Sequence, residues 1–194
     1  MFAIKSDFIC IFKIGDNIIH NLKILKFLYT TESNCTAEEK LLLYKPIIVT
    51  IASICEAILY DFYVRINDNT KEGISNLTKI IIDRIRSKKI DEFEKYIVSA
   101  RKNELFGFKD LLFYTELDDL RKLRNRIHIQ NRKKDFEPDE IVAFNYERKI
   151  TAERILEQMM KTMAGKYSRP YSVTGYVENF ILPWDEHLPT IERN

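Results

Sequence analysis

The sequence predicts an all-α fold, an up-and-down bundle of five to six helices with an irregular C-terminal tail. Three observations lead there. Apolar residues recur every three or four positions through most of the chain, which is the spacing of one face of a helix. Only five Gly and five Pro are present, too few for a turn-rich β architecture. The 194 residues, 45% hydrophobic and 31% charged, suit one soluble domain with one core. On this pattern residues 1–165 form the bundle, and residues 166–194 form a tail that packs on the bundle or on a partner.

Taken in order, the opening stretch from Phe2 to Ile14 mixes β-branched and aromatic residues over so short a run that strand and helix both fit. After Gly15, the positions of Ile18, Leu22, Leu25 and Leu28 mark a first helix, with Asp16 as its N-cap and an end near Thr31. Thr36 followed by Ala37, Glu38 and Glu39 reads as a capping box that opens a long helix reaching about Ile66. Pro46 should kink that helix or split off its first turns, because proline lacks the donor to residue i−4. Ile47 to Val64 is apolar nearly all round, as the central helix of a bundle must be. Glu56 sits among Ile54, Cys55, Ala57, Ile58 and Leu59, and an acid in such a place needs a cationic partner.

Two amphipathic helices follow, Ile74 to Ser87 and Asp91 to Leu105, with a break at Gly107. A helix from Leu117 to Gln130 comes next, then a polar loop from Asn131 to Glu137, then a last helix from Pro138 to about Ala164. The tail from Lys166 holds three of the five prolines and the only Trp, with no sustained period.

Charge and cysteine usage narrow the function. A formal net charge of +2 is too small for a generally basic protein, so any nucleic-acid contact must come from a local patch. Cys10, Cys35 and Cys55 are odd in number and form no CxxC pair, which argues against a disulfide framework or a zinc site and suits a reducing cytoplasm. The apolar run Phe8 to Phe12, bracketed by Asp7 and Lys13, falls far short of the roughly 18 residues of a membrane span. No membrane anchoring is expected. No phosphate-binding loop, dinucleotide turn, nucleophile elbow or zinc-binding HExxH helix is present, so neither cofactor nor metal is expected.

The segment that carries chemistry is Leu117 to Asn131. Placed at about 100° per residue, Leu117, Leu120, Leu123 and Ile127 form the buried stripe, while Asp118, Asp119, Lys122 and Arg126 fall on the far side. Arg121, Arg124 and His128 lie between them on a half-buried ridge, with Asn125 at its rim. From Arg121 to Lys134 there are seven Arg or Lys residues and no acid. Two forked guanidinium groups suit phosphate, and Lys122, Arg126, Arg132, Lys133 and Lys134 extend the patch as nucleic-acid contacts. His128 adds a group that can take or give a proton near neutral pH, which a purely electrostatic patch does not need. Cleaving RNA without metal requires a proton to leave the 2′-hydroxyl and charge on the phosphate to be stabilised; His128 and the arginines supply these. His20 and His187 have no partner in the pattern and are read as functionally silent.

Arg-Asn-Arg-Ile-His, at Arg124 to His128, together with the earlier apolar helix carrying Ala-Ser-Ile-Cys-Glu-Ala-Ile-Leu-Tyr, resembles the HEPN superfamily of prokaryotic defence and toxin proteins. The resemblance implies a bundle of four to five helices, paired as a homodimer, with an Arg, four to six intervening residues and a His as a metal-independent endoribonuclease site. Arg121 has six residues between it and His128 but is followed by Lys122; Arg124 is followed by the expected polar residue, Asn125, but has only three before His128. Either can be the family's arginine. Glu56 matches the acid on the long helix of many members and would orient the Arg or the His. The resemblance thus implies single-stranded RNA as substrate, products with 2′,3′-cyclic phosphate ends, and a toxin or defence effector with an antitoxin or other defence-system protein as partner. A second expectation is a non-catalytic module of the same fold, binding nucleic acid or protein as an accessory or antitoxin-like subunit.

Overall fold

The computed structural model describes residues 1–68, 74, 76–107, 111–127, 139–170 and 177–188. Along them the chain forms β1 (Phe2–Ile4), α1 (Phe12–Ser33), α2 (Ala37–Asp68), α3 (Lys79–Arg86), α4 (Phe93–Lys102), α5 (Leu111–Asn125), α6 (Glu140–Ala143), α7 (Tyr146–Lys166) and β2 (Phe180–Leu182). The architecture is mostly helical, as expected.

The predicted capping box opens α2. The Thr36 backbone N–H donates to Glu39 Oε2 at 2.8 Å, and the Glu39 N–H donates back to Thr36 Oγ1 at 3.3 Å. Pro46 does not split the helix, which runs unbroken from Ala37 to Asp68. Proline here deprives the carbonyl of Leu42 of its donor, and Leu42 is solvent-exposed, so water can take the donor's place. Beyond Pro46 the helix is the centre of the fold. Ile47, Ile48, Ile51, Cys55, Ile58, Leu59 and Phe62 are fully buried, against α1, α7, α5, α4 and α3. By length and hydropathy α2 could cross a bilayer, but most of that apolar stretch is already covered by its neighbours. Burial pushes the Cys55 thiol well above its ordinary range.

Helix α1 begins before Gly15, not after it, and Asp16 is not its cap. The carboxylate that serves this end comes from α2: Asp61 accepts from the backbone N–H groups of Cys10 at 2.8 Å and Ile11 at 2.7 Å. Burial raises the Asp61 carboxyl above its usual range, although these two bonds and the nearby Arg65 and Arg169 pull the other way.

Helix α3 is shorter than the apolar spacing suggested, because Thr78 caps it by accepting from the Ile81 N–H. Gly107, at φ 137°, marks the expected break after α4. The last long helix predicted from Pro138 is two helices. Asn145 is extended and its side chain accepts from the Arg148 N–H at 2.9 Å, so it ends α6 and starts α7.

The open question at the N-terminus is answered by pairing with the tail. Strands β1 and β2 are antiparallel, with Phe2 opposite Leu182 and Ile4 opposite Phe180. Phe180 and Leu182 are fully buried while Ile181 between them is exposed, the alternation of a half-covered strand. Phe8 meets Phe180 edge-on at 5.7 Å, and Trp184 lies 5.7 Å from Tyr29. Residues 177–188 are therefore held by strand pairing and by apolar contacts with α1.

A row of charged side chains on α7 completes this attachment. Lys149, Glu153, Glu157 and Lys161 recur every four residues and are all buried. Lys149 bonds Glu32 of α1 at 2.6 Å, Lys161 bonds Glu157 at 2.8 Å, and Glu157 accepts from the backbone N–H groups of His187 and Leu188. His187, expected to lack a partner, has one: its Nε2 is 2.8 Å from Glu153 Oε2. Tyr29 donates its hydroxyl to the same Glu153 carboxylate, and burial, reinforced by the charges of Glu153 and Glu32, makes that hydroxyl much harder to ionise.

Candidate functional site

Helix α5 carries the basic ridge and starts earlier than expected, at Leu111. Phe113, Tyr114, Leu117, Leu120 and Leu123 form its buried stripe, and Tyr114 is fixed by accepting the Phe106 backbone N–H at 3.0 Å. On its other side Glu116 bonds Arg154 of α7 at 2.5 Å. These contacts set the rotation of α5, and with it the directions of Arg121 and Arg124.

The two arginines turn to different neighbours. Arg124 pairs with Glu56 on α2, the cationic partner the sequence demanded for that acid. Its Nη1 also donates to Asn125 Oδ1 at 3.2 Å. Arg121 instead donates through Nε to Asp118 at 2.7 Å and reaches Glu94 of α4 at 3.5 Å. Its side chain is 14% exposed, against 34% for Arg124, so Arg124 is the more accessible of the two.

The patch is less cationic than its sequence. Lys122 bonds Asp118 at 3.0 Å and Asp119 at 2.9 Å, so the two acids placed on the solvent side pair with the basic segment, Asp118 with Arg121 of the ridge as well. Burial raises the Asp118 carboxyl, but the bonds from Arg121 and Lys122 outweigh it and hold the group below the usual carboxylate range. Hydrogen bonds to Asp119 and Asp118 likewise raise Lys122 above its ordinary value.

Two positions depart from the helical wheel. Arg126 was expected on the solvent side and is buried, whereas Ile127 was expected in the stripe and is exposed. The reason is local: α5 ends at Asn125, and the next amides bond three residues back, Arg126 N–H to Leu123 and Ile127 N–H to Arg124, so the 100° phase is lost. Arg126 is therefore not on the open side of the helix where the wheel placed it. His128, Arg132, Lys133 and Lys134 lie outside the described residues.

Glu94, Asp118 and Tyr60 are the neighbours the sequence reading missed. Asp118 could have been found from its spacing to Arg121 and Lys122, at i+3 and i+4. Tyr60 is one turn beyond Glu56 on α2, is 45% exposed, and meets Tyr96 edge-on at 6.5 Å. Burial pushes the Tyr96 hydroxyl up, helped by the charges of Asp91 and Glu56 nearby. Glu94 had no signal, because its contact with Arg121 depends on how α4 lies against α5. Among the described residues no group of three or more His, Cys, Asp or Glu side chains is placed to hold a metal ion.

Comparison with protein-family models, with curated proteins and with solved structures finds no match to this chain.

Proposed function

We propose that the chain is a HEPN-like, metal-independent endoribonuclease that cuts single-stranded RNA as a homodimer. The observation that carries this reading is the Glu56–Arg124 pair, an acid of the long central helix held against the arginine that opens Arg-Asn-Arg-Ile-His. Glu56 fixes the guanidinium without enclosing it, and Asn125 bonds its other edge. In the reaction Arg124, with Arg121 behind it, holds the scissile phosphate, and His128 exchanges the proton of the attacking 2′-hydroxyl. The leaving 5′-oxygen takes a proton, and the products end in 2′,3′-cyclic phosphate and 5′-hydroxyl. The biological setting that follows is a cytoplasmic toxin or defence effector, held in check by an antitoxin or another protein of the same defence system.

The test is cleavage of RNA by the purified protein in EDTA. We expect cyclic phosphate ends from the wild type and no cleavage from His128→Ala; the same activity in that variant would end the assignment.

One observation favours a second reading, a non-catalytic module in which the ridge is structural. Arg121, Lys122 and Arg124 each face an acid and Arg126 is buried, so much of the basic charge is used inside the fold. On that reading Arg124→Ala lowers stability by about 1 kcal/mol, in keeping with a partly exposed pair, and no RNA is cut. A urea titration alongside the cleavage assay separates the two.

A further inference from the structure

A second basic surface lies beside the ridge. Between Lys79 and Asn103 there are eight Lys or Arg residues against four Asp or Glu, an excess of four in a chain whose whole formal charge is +2. Helices α3 and α4 and the turn between them gather this charge around an open cavity of about 440 Å³.

The local acids do not neutralise it. Asp91 and Glu92 are occupied by Lys89 and Lys95, with contacts of 3.1, 2.7 and 3.2 Å. Glu94 is turned to Arg121. Lys88 and Lys102, both exposed, form no ion pair among the described residues, and Arg84 bonds only the neutral Asn103 Oδ1, at 3.3 Å. Three cations thus face one cavity without an acid of their own. Its lining also has an apolar part, Ile90 and the exposed Val98. An inorganic anion needs only the charges. A nucleotide unit, with phosphate on one side and a base on the other, uses both the charges and the apolar part.

We infer that this groove holds the single-stranded RNA next to the α5 ridge, phosphates on Arg84, Lys88 and Lys102 and a base over Val98. The inference rests on the ribonuclease reading for the identity of its ligand. Glu94 ties the two surfaces together, because it lines the groove and contacts Arg121 of the ridge. The groove thus adjoins the ridge at Arg121. This also moves the main backbone-binding surface from Lys122 and Arg126, which are paired or buried, to cations that are open.

The test uses the full chain carrying His128→Ala, so that RNA stays intact, and a fluorescein-labelled single-stranded oligouridylate in EDTA, followed by anisotropy at several salt concentrations. Lys88→Glu with Lys102→Glu should weaken binding at least about tenfold and flatten the salt dependence by about two counterions, one for each lysine. Both lysines are exposed, and helical circular dichroism checks that the fold is kept; should the double variant misfold, Arg84→Gln alone should still weaken binding severalfold. Unchanged affinity and slope in these variants would overturn the groove, as would binding of inorganic polyphosphate as tight as that of RNA. The outcome is separable from the cleavage assay. Groove-dependent binding by a wild type that never cuts RNA retires the nuclease reading and keeps the groove, whereas cutting with binding indifferent to Lys88 and Lys102 does the reverse.

Discussion

Asp118 controls how much of the ridge's charge reaches solvent. It accepts from both Arg121 and Lys122, and those bonds hold its carboxyl below the usual range despite partial burial. A group whose value is lowered by folding stabilises the fold above its unfolded value, about 3.9 for Asp, and that contribution is lost as pH falls through the lower folded value. Urea midpoints should therefore drop on acidification below about pH 4, and drop less in Asp118→Asn. The same variant takes from Arg121 and Lys122 one of the two acids each faces, leaving Glu94 and Asp119, so it should bind RNA more tightly and with a steeper salt dependence. If affinity does not rise, the ridge does not meet the backbone. At this scale the sequence revealed needs more readily than partners. A lone acid in an apolar stretch had to find a cation, so the Glu56 contact was legible, but which arginine would answer depended on the rotation of α5. Arg126 was misplaced because the wheel assumed a helix that stops one residue before it.

Among the elements, the boundaries that local chemistry decides were legible and those that tertiary contacts decide were not. Thr36 and Glu39 announce the start of α2 by themselves. The start of α1 is served by Asp61, fifty residues further on, and no local pattern could show it. Asn145 had the side chain to break the last helix, but the apolar spacing on both sides of it hid the interruption. Gly15 gives the sharpest test of how α1 is seated. Alanine is favoured over glycine by about 1 kcal/mol inside a helix, yet a Cβ on Gly15 would lie 2.5 Å from Cγ2 of Val177 and 2.7 Å from Cγ1. Val177 must move, and its carbonyl accepts from Ser6 at 2.7 Å, so the cost passes to the N-terminal segment as well. Gly15→Ala should lower the thermal midpoint despite its better helix propensity, and adding Val177→Ala should recover most of the loss. A higher midpoint in the single variant would show that the two segments are not in contact.

At the scale of the whole molecule the composition predicted a helical body, and the structure is one, but a tail without a period gave no hint of where it would attach. Its attachment is made of long-range contacts that only the folded chain brings together: β2 against β1, Trp184 against Tyr29, and the Glu157 carboxylate against the backbone of His187 and Leu188. These contacts span both ends of the chain and the central face of α7, so losing them exposes Phe8, Phe180 and Leu182 together. The tail and the bundle should therefore unfold as one unit. Trp184 is the only Trp, so its fluorescence reports the tail alone, while circular dichroism at 222 nm reports the helices. In a urea titration the two curves should coincide, with one midpoint and one slope, as a two-state transition requires. A fluorescence change complete before the helical signal begins to fall would mean that the tail detaches from an intact bundle, and Glu153, Glu157 and Lys161 would then be a docking track for a removable segment and not part of the core.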